Sequence, residues 1–243
     1  MKSEQQRLDK ILVNSGFGSR REIKLLVRSG KVIVNDSVIK DSSVHIDPNN
    51  DNSVVCGQKI HYREFIYLMM NKPDGVVSAT EDNKFQTVVD LVPEEYAHFN
   101  VFPVGRLDRD TEGLLILTND GQLAHDLLSP KKHVPKTYYA DIQGEVNEMD
   151  IKAFREGVVL DDGYQTLPAH LVVLESGEQS KIELTIVEGK FHQVKRMFES
   201  VGKKVVYLKR IKMGQVSLDN ELELGECREL TGEELEELKN NKR

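Results

Sequence analysis

The densest chemistry in the chain lies in one short stretch, Gly105-Arg-Leu-Asp-Arg-Asp-Thr-Glu-Gly113. Two carboxylates, Asp108 and Asp110, alternate with two arginines, Arg106 and Arg109, in a loop closed by a glycine. The apolar run Leu114-Leu-Ile-Leu117 follows at once, so these charges crowd the start of a buried strand. Charges in such a place are costly unless they pair or react. A carboxylate beside a cation can act as a nucleophile, and a cation within a few Å keeps such a group ionised. The same residues also fit a salt-bridge knot with no chemistry. On this loop alone, that plainer reading prevails.

Other chemistries lack their residues. His125, His133 and His192 stand alone, without metal-ligand spacing. No Gly-x-Ser-x-Gly elbow, Gly-rich phosphate cradle or dinucleotide fingerprint is present. Cys56 and Cys227 lie far apart, which suits a reducing cytoplasm and argues against a disulfide framework or a cysteine metal site. No apolar window approaches the roughly 18 residues of a membrane span. Met1 to Arg7 lack the apolar centre of a secretory signal. The expectation is a cytoplasmic protein with no membrane partner. Its 243 residues suffice for a small domain followed by a medium one.

The net charge of −7 hides an uneven distribution. Residues 1–40 carry nine Lys/Arg against four acids, a balance of +5. Residues 190–212 carry eight against Glu199 alone, and residues 219–237 hold nine acids against Arg228. Basic blocks set apart from an acidic tail give a one-sided footprint of the kind nucleic acids recognise. For the tail itself, an ordinary solvated surface is the simpler account.

Several elements can be read from spacing. Leu8, Ile11 and Leu12 fit a helix that Gly16 ends. Ser19-Arg-Arg-Glu22 is a capping box opening a second helix, with Ile23, Leu26 and Val27 as its apolar stripe and Gly30 as its stop. That helix carries Arg20, Arg21, Lys24 and Arg28, a candidate phosphate-contacting face. Residues 31–39 read as two short strands about a turn at Asn35-Asp36. The boundary with the next domain is placed at residue 60, although Val54 to Tyr62 could belong to either side.

In residues 61–243, Phe65 to Met70 reads as a buried strand and Asn71 to Gly75 as a turn, where Lys72 could face a phosphate. Gln122 to Leu128 reads as a short helix, and Ser129 to Lys136 as an exposed basic connector. Residues 137–142, 171–174, 182–187 and 204–210 read as strands, and Thr231-Gly-Glu-Glu234 as a capping box for a last helix. Strands outnumber helices without regular alternation. The fold class expected is α+β, with a mixed, mostly antiparallel central sheet flanked by helices.

Two resemblances order these pieces. Arg7-Leu-Asp-Lys10, Ser19-Arg-Arg21 and Gly30-Lys-Val-Ile-Val-Asn35 resemble the alpha-L RNA-binding module named after a ribosomal small-subunit protein. Gly105-Arg-Leu-Asp108 with Asp110-x-x-Gly-Leu-Leu115 resembles the signature of the pseudouridine synthases, most closely the ribosomal small-subunit pseudouridine synthase A family. The likeness continues at Leu68-x-x-Asn-Lys-Pro-x-Gly75, Ser129-Pro130, Lys136-Thr-Tyr138 and Glu188-Gly-Lys-Phe-His-Gln-Val-Lys-Arg-Met-Phe198. Together these motifs span nearly the whole chain in the family's order.

The resemblance implies a bacterial enzyme that isomerises a specific uridine of small-subunit ribosomal RNA, without cofactor or metal, because the reaction is redox-neutral and keeps every atom. It implies Asp108 as the catalytic aspartate, Tyr138 as the active-site tyrosine and Lys195 as the basic partner of Asp108. Arg196 is the fallback partner and a candidate RNA contact. Side chains of helical neighbours diverge by about 100°, so only one of the two should reach Asp108. Arg106 is expected to help flip the base or hold a phosphate, Asp110 and Thr111 to order the loop, and Leu184 to pack on the base. The partner is ribosomal RNA or a precursor particle, and the enzyme is taken as a monomer. Sister families that act on large-subunit RNA share these motifs; Ser129-Pro-Lys-Lys-His133 tilts the reading to the small subunit. A non-catalytic RNA-binding assembly factor would need only the N-terminal module.

Overall fold

The apolar residues gather into separate cores, and the chain passes between them. The computed structural model describes residues 5–60 and 62–240. Lys2 and Glu4, counted in the N-terminal charge balance, lie outside them. One compact unit extends to Ile66 and takes back Pro93–Asn100; the other comprises Tyr67–Val92 and the chain from Val101 onward. The sequence places this boundary at residue 60 and gives no sign of the returning segment.

In the first unit, β1 (Gln6–Arg7) leads into α1 (Leu8–Asn14) and then α2 (Arg20–Arg28). The expected capping box forms: Ser19 Oγ accepts from Glu22 N, and Glu22 Oε2 accepts from Ser19 N. The strands β2 (Val32–Val34) and β3 (Ser37–Val38) turn at Asn35 and Asp36, both with positive φ, as a tight hairpin requires. After β4 (His45–Ile46), the strand β5 (Ser53–Val55) pairs with β2 and then with β6 (Gln58–Lys59). That pairing assigns the ambiguous stretch after Val54 to this unit. Leu8, Ile11, Leu12, Ile23, Val27, Val32 and Val55 close its core.

The second unit is built on β7 (Tyr67–Lys72), β8 (Phe102–Pro103), β9 (Glu112–Thr118), β10 (Lys136–Gln143), β11 (His170–Glu175), β12 (Gln179–Ile186), β13 (Lys204–Met213), β14 (Val216–Ser217) and β15 (Cys227–Glu229). They form one sheet in the order β11-β12-β10-β13-β9-β7-β15, with β14 beside β13 and β8 beside β9. Among the described strand pairs of this sheet only β13–β9 is parallel, so the sheet is mixed and mostly antiparallel, as expected. Burial explains the two strand patterns. From Gly113 to Thr118, β9 is buried throughout, so its sequence is a continuous apolar run. In β12 burial alternates, so one of its faces is polar.

The helices are α4 (Gly121–Leu128), α5 (Glu148–Glu156), α6 (Gln193–Ser200) and α7 (Gly232–Lys239). Leu123, Ala124 and Leu127 of α4 and Leu238 of α7 share a core with Leu114 and Ile116 of β9. Phe154 of α5 and Phe198 of α6 meet edge to face, ring centroids 4.9 Å apart. The capping box expected at Thr231 forms with Glu234. None of the described helices is long and apolar enough to cross a membrane.

The returning segment carries α3 (Glu94–Ala97) and belongs with the first unit. Phe99 is buried there, with the Arg63 guanidinium 5.9 Å from its ring centroid. A Cβ at Gly16 would meet the His98 ring at 3.1 Å.

Candidate active site

The charged loop is held by its backbone before its side chains do anything. Thr111 N donates to Asp108 O at 3.0 Å, closing a turn. Ser78 Oγ donates to Leu107 O and accepts from Leu107 N, at 2.9 and 3.1 Å. Gly75 N donates to Arg109 O. Beneath the loop lies Lys72, 0% exposed, whose ammonium donates to the carbonyls of Pro73, Arg109 and Thr111 at 3.0, 3.1 and 2.9 Å. Burial pushes its pKa down to about 8, against the attraction of Asp74, Asp110, Asp108 and Glu112. A Lys before a Pro in a turn reads as a solvent residue; here it is the internal strut of the loop. The expectation that Lys72 meets RNA phosphate is therefore corrected.

Gly113 ends the loop where β9 meets β13. It pairs with Arg210 at φ 100, and an added Cβ would lie 2.2 Å from the Arg210 carbonyl oxygen. Only glycine fits so close an approach. Arg210 is 2% exposed and donates from Nε to Leu114 O at 2.8 Å.

Helix α6 delivers the cation. Lys195 Nζ is 3.8 Å from Asp108 Oδ2 and 2.6 Å from Asp110 Oδ1. Burial would push the Asp110 carboxyl up, but the Lys195 hydrogen bond and charge outweigh it and hold it below the ordinary range. Asp110 thus does more than order the loop: it holds Lys195 directly. The other neighbour of Asp108 is His192, whose Nε2 is 3.6 Å from Oδ1. In sequence this histidine stands alone; the left-handed backbone at the head of α6 (φ 48) brings it in.

Arg196 points elsewhere. It is bound by Asp161, and Asp162 Oδ2 lies 2.7 Å from Nη2. It is not the partner of Asp108, because consecutive helical residues diverge by about 100° and Lys195 is the one turned toward that carboxylate. As an RNA contact it is corrected, because a phosphate would have to displace two carboxylates.

Tyr138 on β10 faces Asp108 across a cleft of about 70 Å³, lined also by Arg106, Thr111, Ile186 and His192. Its neighbour Tyr139 lies on the opposite face, where its hydroxyl donates to Asp141 at 2.7 Å. Leu184 pairs with Tyr138 in register but is fully buried as core; Ile186, two residues along the same strand, reaches the cleft. Arg106 is exposed at the cleft mouth. On the first unit, Arg20, Arg21, Lys24 and Arg28 are exposed while Ile23 and Val27 are buried, so the basic face of α2 is open.

The connection from β12 to α6 hangs on Glu188, which is buried. Its carboxylate accepts from the Tyr164 hydroxyl, Leu167 N and Gln193 Nε2 at 2.8, 3.0 and 2.7 Å. Lys72, His192 and Glu188 are the residues that sequence reasoning missed in these roles. The last two lie in the Glu188–Phe198 motif that carries the family resemblance, which gave neither of them a role.

Chemically, the site offers a carboxylate, a phenol and an imidazole to one small cleft, with an ammonium beside the carboxylate. That set suits addition to, or proton removal from, a compact ring system that fits against Tyr138. Among the described residues, no group of His, Cys, Asp and Glu side chains is arranged to hold a metal ion.

Residues 66–200 match the model of a family described as RNA pseudouridylate synthase, and residues 6–52 match the S4 domain. An uncharacterized RNA pseudouridine synthase, YtzG, of Bacillus subtilis is 56% identical, covering 94% of this chain and 96% of the relative. Ribosomal small subunit pseudouridine synthase A of Vibrio cholerae is 41% identical over 94% of the chain and 97% of the relative. Ribosomal large subunit pseudouridine synthase B of Bacillus subtilis is 38% identical over 96% of both. A crystal structure of a pseudouridylate synthase superposes with a TM-score of 0.67 at 38% identity, covering 96% of this chain and 99% of that one.

Proposed function

Because the chain belongs to the RNA pseudouridylate synthase family, we propose that it converts a specific uridine of small-subunit ribosomal RNA to pseudouridine, with Asp108 as the reacting carboxylate. The observation that carries this reading is that Asp108 and Tyr138, distant in sequence, line one cleft, with the Lys195 ammonium 3.8 Å from Asp108. The target uridine leaves its stack and its base lies against Tyr138. The C1′–N1 bond breaks, the uracil turns, and C1′ bonds to C5. N1 gains a proton and C5 loses one, so no atom is gained or lost and no cofactor is needed. Asp108 acts either by adding to the ring system or by taking a sugar proton. Tyr138 stacks on the base, and its hydroxyl serves to move a proton.

The S4 domain brings RNA to this site through the open basic face of α2. Arg106, exposed at the cleft mouth, holds a phosphate or fills the place of the flipped base. The small-subunit assignment rests on the Ser129–His133 connector, whose Lys131 and Lys132 are exposed. Similarity to relatives named for both subunits makes large-subunit RNA the second reading. We take the enzyme to act as a monomer in the cytoplasm, on rRNA or a precursor particle.

The test is to map pseudouridine in unmodified small- and large-subunit rRNA after incubation with wild type and with Asp108→Asn. The expected product appears in the small-subunit RNA with wild type only. Modification of the large-subunit RNA alone overturns the substrate assignment. An active Asp108→Asn variant overturns the role of Asp108.

A further inference from the structure

Phe191 keeps 75% of its surface in solvent, beside a cleft in which most side chains are buried. Its ring stacks on the imidazole of His192, centroids 3.8 Å apart and planes 18° from parallel. Neighbouring side chains in a strand point to opposite faces, and in a helix they diverge by about 100°. Here the left-handed backbone at His192 lays one ring on the other. The inner ring reaches Asp108 at 3.6 Å. The pair is thus a short aromatic column running from the reacting carboxylate out into solvent.

The backbone under that column is fixed. Glu188 takes three hydrogen bonds at the start of the connection, and Lys190 N donates to Gln193 Oε1 at 2.8 Å. The Lys190 ammonium lies 4.3 Å from the Tyr164 ring centroid. The carbonyl of Phe191 itself accepts from Arg196 Nη1 at 3.3 Å. An exposed apolar ring with one face backed by an imidazole is arranged to receive a planar partner on the other. Removing a base from its stack strips that contact from its neighbours, and proteins restore it with aromatic side chains.

We propose that Phe191, backed by His192, is a stacking platform for the unpaired nucleobase next to the target uridine. The proposal rests on the uridine-isomerase reading above. It assigns the column to a flanking base and leaves the target base to Tyr138. Lys190 and Arg106, both exposed beside the cleft, carry charge suited to the adjoining phosphates.

The test uses unmodified small- and large-subunit rRNA transcripts and single-turnover pseudouridine formation by wild type, Phe191→Ala, Phe191→Leu and Phe191→Trp. Loss of one stacked base predicts a fall in kcat/KM of about ten- to a hundredfold for the alanine variant. Tryptophan should stay within about threefold of wild type, and leucine should remain low, because it fills volume without a π face. Thermal midpoints should match wild type. Once wild type has located the modified uridine, transcripts abasic at each flanking position identify the stacked base: at that position the alanine penalty disappears. An alanine variant as active as wild type on the intact transcript overturns the platform and leaves the isomerase reading standing, as does a leucine variant as good as tryptophan. A wild type that forms no pseudouridine in either RNA, whether free or assembled into precursor particles, overturns the isomerase reading, and the platform with it.

Discussion

Lys195 Nζ stands 3.8 Å from Asp108 Oδ2, beyond hydrogen-bonding distance. Its short contact is with Asp110, at 2.6 Å. The pair implied by the sequence motifs is therefore a triad in which Asp110 decides where the ammonium sits. If so, Asp110→Asn lowers kcat/KM by about tenfold, whereas Asp108→Asn lowers it by about a thousandfold or more. The losses from Asp110→Asn and Lys195→Met should not add, because one acts through the other. Single-turnover kinetics on the double variant decide it; additive losses would disprove the shared role.

Lys72 predicts a split between activity and stability at alkaline pH. Below about pH 8 it is protonated in the folded and unfolded chain alike. Between there and its ordinary value of 10.5, only the unfolded chain keeps the proton. Unfolding then takes up a proton, so the contribution of Lys72 to stability rises with pH across this window. The neutral amine has one donor fewer for its three carbonyls, so the loop loosens and activity falls through the same window. Lys136, also lowered to about 8 by burial and by Arg210, acts on stability in the same sense. The difference between wild type and Lys72→Met, in urea unfolding from pH 7 to 10, isolates the Lys72 part. A wild-type rate that stays flat to pH 10 would sink the strut.

Two glycines beside the loop separate strain from collision. Gly75 has φ 81 and nothing within 4 Å of an added Cβ, whereas Gly113 has φ 100 and the Arg210 backbone at 2.2 Å. Gly75→Ala should cost about 1 kcal/mol, the conformational part alone. Gly113→Ala should cost on the order of 3 kcal/mol or more, since β9 and β13 must part. Equilibrium unfolding measures both, and equal costs would refute the close approach.

The basic face of α2 predicts salt dependence. Replacing Arg20, Arg21, Lys24 and Arg28 by alanine should weaken RNA binding and flatten its dependence on salt, by about 0.7 to 0.9 for each phosphate no longer neutralised. All four side chains are exposed, so the melting temperature should hold. An unchanged slope in filter binding would move the RNA to another surface.

Local signals were legible and distant ones were not. The capping boxes at Ser19 and Thr231 work within one turn, so their residues announce the helices. The Asn35-Asp36 turn is equally local. The parallel meeting of β9 and β13 joins positions almost a hundred residues apart, and no spacing encodes it. Lys72 misled because its neighbours in sequence make a turn, while its surroundings in space are three carbonyls. His192 looked isolated because its neighbour Asp108 comes from another part of the chain. Arg196 and Lys195 separated as helical geometry required, but the carboxylates that capture Arg196 were not foreseen.

The return of Pro93–Asn100 to the first unit has a consequence for how this protein can be taken apart. The chain crosses between its two units three times, after Ile66, after Val92 and after Asn100. A single protease cut near residue 66 would free the first core from the rest of the chain but leave Pro93–Asn100, which belongs with that core, on the other fragment. A gene shortened to start after the first core would still encode Phe99 and His98, now without a seat. The first unit is thus no simple N-terminal appendage: part of it is encoded only a few residues ahead of Asp108.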